Sequence, residues 1–199
     1  MSLVYIVASQ TPIAVSLFAI QPTYRGNCCS TVSSLDHLCN SGRVKIELDN
    51  SPHIDTVATL FREYASSLPF DLTFQSFDEE LAALPGEYAP PRGALIVATL
   101  NGDAAGCVAL RPLDASVCEM KRLYVRPTAR GTGAGRALAE AVITAARAAG
   151  YSHMRLDTTP EMNAAHALYS SLGFYEIAPY RHNPIAGTRY LELALSPTS

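Results

Sequence analysis

The chain has 199 residues, 48% of them hydrophobic and 17% charged, with a formal net charge of −3 and a pI near 5.9. That composition excludes wholesale disorder, and the charge balance leaves no general basic field to gather nucleic acid. No apolar run reaches the ~18–20 residues of a membrane helix, because residues 3–20 are interrupted by Ser9-Gln10-Thr11-Pro12 and lack a basic start.

Residues 1–43 are rich in Ser, Thr and Cys, carry few charges and show no sustained helical period. They read as an N-terminal extension, disordered or produced by a mis-assigned start, ahead of a single domain at 44–199. Residues 44–48 alternate as a strand should. After Pro52, Ile54, Val57, Leu60, Phe61, Tyr64 and Leu68 fall on one helical face. A short helix fits 78–84 and ends at Pro85-Gly86. The run 94–100 reads as a buried strand, Asn101-Gly102 as a hairpin turn, and 104–110 as the returning partner. Residues 111–116 form a turn-rich connection to a third strand at 117–125. A glycine loop then opens a helix over 133–149, with Gly150 placed to end it. A strand at 151–158 puts Met154 and Leu156 on one side. A last helix over 160–172 ends at Gly173, and strands at 174–177 and 188–195 close the pattern.

The cysteines are Cys28, Cys29, Cys39, Cys107 and Cys118, with no Cys-x-x-Cys pair and no histidine at metal-ligand spacing. No metal is expected. Cys107 and Cys118 lie in apolar strands, where a free thiol behaves as a small hydrophobe, and a reduced, cytoplasmic setting follows as the default.

The segment Arg130-Gly131-Thr132-Gly133-Ala134-Gly135-Arg136 stands between a strand and an amphipathic helix. Glycines there let backbone N–H groups face an anion without Cβ interference, and the helix N-terminus adds partial positive charge. The loop reads as a phosphate cradle. A Rossmann dinucleotide site is the competing reading. Arg136 in the third glycine position and an antiparallel meander before the loop oppose it. A Walker loop fails for want of Gly-Lys-Ser/Thr.

Residues Arg130 to Gly135 are similar to the Arg/Gln-x-x-Gly-x-Gly/Ala pyrophosphate motif of the GNAT superfamily of N-acetyltransferases. Ala165-His166-Ala167-Leu168-Tyr169-Ser170-Ser171-Leu172-Gly173-Phe174 resembles its Ala-x-x-Leu-Tyr-x-x-x-Gly-Phe segment. The resemblance covers 44–195. It implies an α/β (α+β) acyl-CoA N-acyltransferase fold: a mixed, mostly antiparallel sheet, splayed near Val125 and flanked by helices. It implies acetyl-CoA as co-substrate, with its pyrophosphate on Arg130, Gly131, Thr132, Gly133, Ala134, Gly135 and Arg136. The pantetheine arm would lie along Leu123, Tyr124 and Val125, one of whose amides would meet the acetyl carbonyl. The acceptor would be an amine on a small molecule or peptide, with no nucleic-acid or membrane partner, and a sheet edge offers a homodimer contact.

That chemistry moves two protons. An alkylammonium, pKa ~10.4, must lose one before attack, and the leaving thiolate, pKa ~8.5, takes one. By the resemblance, Tyr169 occupies the general-acid position and Glu119 a position where some members activate the amine through water. The plainer readings are a core aromatic for Tyr169 and a carboxylate paired with Lys121 for Glu119. Asp157, at a strand end, reads as a turn cap or as a group that helps bind the amine, Arg122 as a solvated strand residue or a substrate contact, and His153 and His166 as surface or packing histidines. Asn163 is one residue beyond the position, here Met162, where the family often has an asparagine that contacts CoA. Residues Arg181-His182-Asn183-Pro184 fall on the acceptor side. The alternative function is a non-catalytic acyl-CoA-binding regulatory module.

Overall fold

The computed structural model describes residues 46–70, 72, 76–160 and 163–195; the proposed extension at 1–43 lies outside the described residues. Seven strands form one sheet in the order β1-β2-β3-β4-β5-β7-β6. They are β1 (Ile46–Asp49), β2 (Ala94–Leu100), β3 (Asp103–Pro112), β4 (Val117–Val125), β5 (His153–Thr158), β6 (Tyr175–Ile177) and β7 (Arg189–Ala194). All neighbours are antiparallel except β4 and β5. The parallel pair needs a crossover, and α3 (Ala134–Ala148) supplies it.

Helices cover both faces. On one face α3 packs Leu138, Val142 and Ala146 against Val108, Met120, Met154 and Leu156. On the other, α1 (Ile54–Ser66) packs Val57, Leu60, Phe61 and Tyr64 against Val97, Cys107, Ala109 and Tyr124. The short α2 (Phe77–Ala82) follows α1, and α4 (Asn163–Ser171) follows β5. The alternation of β4 therefore decides its chemistry: Cys118 and Met120 belong to the α3 core, while Glu119 and Lys121 share the α1 face with Arg111, Arg155 and Asp157.

Two features open the sheet. Ala109 opposes Lys121 and Cys107 opposes Tyr124, so Arg122 and Leu123 together stand opposite Val108. Arg122 takes φ +56° at this bulge, a left-handed conformation that costs a non-glycine residue about 1–3 kcal/mol. β4 and β5 pair only through Val117–His153, Cys118–Met154 and Glu119–Arg155. The splay therefore begins just after Glu119 rather than near Val125, because the bulge turns β4 aside at Arg122. Across the bulge, β3 approaches so closely that a Cβ on Gly106 would lie 2.3 Å from the Tyr124 carbonyl oxygen.

The strand ends differ in one useful way from the sequence reading. β3 runs on to Pro112, which takes Arg111 out of the connection and sets it opposite Glu119.

Candidate active site

The loop after β4 has the geometry of an anion cradle. Gly131 and Gly133 adopt φ +77° and +95°, and Gly133 caps α3. Among the described residues, nothing accepts a hydrogen bond from the amides of Gly131, Thr132, Gly133, Gly135 or Arg136; the helical ladder begins only with Ala137 N–H on the Gly133 carbonyl at 3.0 Å. Thr132 steadies the turn by donating its hydroxyl to the Ala129 carbonyl at 2.7 Å. The Arg130 Nε is buried without a partner. Arg136 donates to Ser171 Oγ on α4 at 2.6 Å, which ties the cradle to the last helix. Ala134 is packed in the core beneath. Beyond Glu119, the side of β4 that faces β5 carries no strand, so Leu123, Tyr124 and Val125 border an open slot that leads to this cradle.

Polar side chains that would be exposed in an ordinary strand are buried along the α1 face of the slot. Glu119 receives the Arg111 Nε at 2.8 Å and the Tyr180 hydroxyl at 2.7 Å, and it pairs with Arg181. Burial opposes its ionisation, but Lys121, Arg181 and Arg111 outweigh that and hold its carboxyl below the ordinary value. Arg122 is wholly buried and paired with Glu80 of α2, its guanidinium 5.5 Å from the Tyr64 ring centre and 5.1 Å from that of Phe77. Glu80 also accepts from the Tyr88 hydroxyl at 2.5 Å; the Arg122 charge overcomes its burial and lowers its pKa to about 2. The Arg122 Nε and one terminal nitrogen are held by Glu80, which anchors the side chain of this left-handed residue, while its Nη1 is buried without a partner among the described residues.

Buried atoms without a hydrogen-bond partner among the described residues include Arg122 Nη1, Thr159 Oγ1, His166 Nε2 and Arg181 Nε, and three further groups bear on the chemistry. Asp157, on the β5 wall of the slot, accepts the Asn183 amide at 2.9 Å with one carboxylate oxygen, while the other is buried and unpartnered. Burial, then repulsion from Glu119, raises its pKa to about 6. The Tyr169 hydroxyl on α4 is also buried and unpartnered, and burial, Tyr64 and Asp157 push its pKa well above the ordinary value. Lys121 is 2% exposed and lines a cavity of about 300 Å³ with Glu80, Tyr88 and Arg111. Burial and the Arg122 charge bring its pKa down to about 7.

The segment after β6 roofs this polar layer. Tyr180 stacks edge-on against Tyr190 with ring centres 5.5 Å apart, and Ile185 reaches across to the α1 core cluster. A slot between parting strands, a cradle of unengaged amides at its end, and a tyrosine hydroxyl from the following helix thus lie together, with the polar layer on the side of α1 and α2.

Comparison with known proteins agrees. The profile of the acetyltransferase (GNAT) family matches residues 57–174. The chain belongs to the GNAT family of acetyltransferases. It is 43% identical over 145 residues to an uncharacterized N-acetyltransferase of Schizosaccharomyces pombe, covering 72% of this chain and 89% of the relative. In structure it resembles an acetyltransferase from Streptococcus agalactiae, with TM-score 0.62, 21% identity, and coverage of 75% of this chain and 98% of that one. It likewise resembles yncA of Salmonella typhimurium, solved with acetyl-CoA, at TM-score 0.57 and 20% identity, covering 77% and 96% of the two chains.

Set against this GNAT frame, the sequence readings divide. Tyr169 and Glu119 do lie by the slot, but Glu119 is engaged by Arg111, Arg181 and Tyr180, with no ion pair to Lys121. Asp157 is no turn cap: its oxygens face Asn183 and the buried slot. Arg122 is not solvated. His166 Nδ1 lies 3.2 Å from Arg189 and His153 Nδ1 2.9 Å from Ser152. Position 162 lies outside the described residues. Arg111 and Glu80 escaped notice, and Lys121 reads in the sequence only as a partner for Glu119, because strand and helix periodicity report burial, not which buried charge is left without a partner.

Proposed function

We propose that this GNAT enzyme transfers the acetyl group of acetyl-CoA to a primary amine by direct attack, with Asp157 receiving the ammonium proton and Tyr169 donating toward the leaving sulfur. The observation that carries this is a pair of buried, unpartnered polar atoms, the Asp157 carboxylate oxygen and the Tyr169 hydroxyl, at the slot between β4 and β5. Acetyl-CoA brings the activated thioester. The residues then have separable tasks. Free amides of the 131–136 loop, with Arg130 and Arg136, suit the pyrophosphate; amides of Leu123, Tyr124 or Val125 suit the acetyl carbonyl, where one oriented N–H is typically worth ~3–4 kcal/mol of transition-state stabilisation.

With a pKa of about 6, Asp157 is largely ionised at neutral pH and still basic enough to accept a proton. As the N–C bond forms and the C–S bond breaks, Tyr169, kept protonated by its raised pKa, supplies the hydrogen bond and proton to sulfur. The proton shed by the nitrogen makes up the balance. Glu119 is assigned a positioning role: it fixes Arg111, Arg181 and Tyr180, and its charge raises the Asp157 pKa. Direct attack is favoured over an acyl-cysteine route because both described thiols are buried, and burial raises Cys118 to about 12. A cytoplasmic setting and pairing through the short edge strands β1 or β6 belong to the same reading.

The test is thermal unfolding with acetyl-CoA, CoA and NADH in parallel, followed by CoA release with an amine panel. A ligand at ~100 times its Kd adds roughly 2.7 kcal/mol of stability. Stabilisation by both CoA species and not by NADH, with amine-dependent CoA release, is the expected result. Stabilisation without release under any amine would favour the non-catalytic module, and an acetylated cysteine trapped during turnover would overturn direct attack.

A further inference from the structure

We infer that the acceptor is a primary amine that also bears a carboxylate, and that Lys121 is the residue that binds this carboxylate in the cavity beside α2. The inference rests on the acetyl-transfer reading and names its second substrate. Lys121 is buried on the α1 face of β4, and of the acids that line its cavity all but the exposed Glu79 are committed elsewhere. Glu119 is held by Arg111, Arg181 and Tyr180; Glu80 by Arg122 and Tyr88; Glu87 by Arg111 at 2.6 Å. Among the described residues, Lys121 makes no hydrogen bond and no ion pair within 4 Å.

A largely buried ammonium that meets the cavity without a counter-ion is unfavourable, and the usual outcome is neutralisation or a partner. The depressed pKa of about 7 records that cost. The cavity that Lys121 lines, about 300 Å³, is at the lower end of small-molecule sites, and Arg111 adds a second cation to its wall. Asp157, on the neighbouring strand β5 and outside that cavity's lining, has an unpartnered oxygen and is electrostatically coupled to Lys121. One molecule with an ammonium for Asp157 and a carboxylate for Lys121 completes both groups at once. A simple alkylamine would leave Lys121 bare, and a lysine side chain on a folded protein would bring no carboxylate into the cavity.

The test measures CoA release with matched trios: an amino acid, its carboxamide, and the amine without the carboxyl group (phenylalanine, phenylalaninamide, phenethylamine, and the equivalents across the common amino acids). For at least one trio, kcat/KM for the acid should exceed that for amide and amine by tenfold or more. Lys121→Gln should raise KM for that acid at least tenfold more than it raises KM for the amide, which abolishes the preference, while Lys121→Arg keeps it. Equal use of acid and amide in every trio would overturn the carboxylate site while leaving acetyl transfer intact. So would a Lys121→Gln enzyme that loses acid and amide activity alike. The trio comparison on the unaltered enzyme needs no variant to fold. Absence of release with every member of the panel would overturn both this inference and the acetyl-transfer reading.

Discussion

Replacing Asp157 by asparagine should make the protein more stable and far less active. The carboxyl stands at about 6 in the fold against an ordinary 3.8. At ~1.4 kcal/mol per pKa unit, holding this group ionised costs the folded state about 3 kcal/mol. The folded protein keeps the Asp157 proton more tightly than the unfolded chain does. The favourable contribution is therefore fully present below about pH 4 and lost as the pH rises through about 6. Asparagine is neutral throughout and still offers an oxygen to the Asn183 amide, so Asp157→Asn should raise Tm at pH 8 by roughly 5–10 °C and hardly at all near pH 4. The same variant should lose ~10²–10⁴ in kcat/KM at pH 7. Its residual rate should climb about tenfold per pH unit toward the pKa of a free alkylamine, ~10.4. In place of that climb, the unaltered enzyme should show an acidic limb near pH 6. Differential scanning fluorimetry across pH and initial-rate profiles read both effects. A variant that is less stable than its parent at pH 8, or that keeps the limb near pH 6, would refute the argument.

Glu119→Gln should move the acidic limb of kcat/KM below pH 6, since the Glu119 charge helps hold Asp157 up, and should lower Tm by freeing the partly buried Arg181 and Arg111; loss of the limb altogether in rate profiles would return the proton-acceptor role to Glu119. Tyr169→Phe should lower kcat by ~10²-fold or more with acetyl-CoA affinity, read by calorimetry, within twofold. That variant should not be destabilised beyond about 1 kcal/mol, because the hydroxyl it removes has no partner to lose. Gly133→Val should abolish acetyl-CoA-dependent stabilisation, as a branched residue at φ +95° is strained by about 1–3 kcal/mol and turns a side chain toward the cradle; an undiminished thermal shift would contradict the cradle.

Much of the architecture is written locally. Asn101-Gly102 turns the β2–β3 hairpin where a two-residue loop must, with Asn101 at φ +54° and Gly102 at +94°. Gly150 and Gly173 each take a left-handed φ just beyond the ends of α3 and α4. The cradle is legible for the same reason: a glycine spacing between a strand and a helix commits the backbone over only a few residues.

The acceptor chemistry is not local, and only the folded arrangement decides it. In the sequence Lys121 and Asp157 are charged residues in strands, and Glu119 is one that family resemblance alone singles out. Their roles depend on Arg111 from β3, Glu80 from α2, and Tyr180, Arg181 and Asn183 from the segment after β6. Those partners fix which carboxylate is saturated and which oxygen is left bare. The left-handed turn at Arg122 is equally invisible beforehand, because it is held by an ion pair with a residue 42 positions away and by two rings on helices it has not yet met. The pattern of the chain determined that an acyl-CoA-binding fold would form; the desolvation of a few charges, and the partners that tertiary packing assigned to them, decided which of those charges are left without a partner.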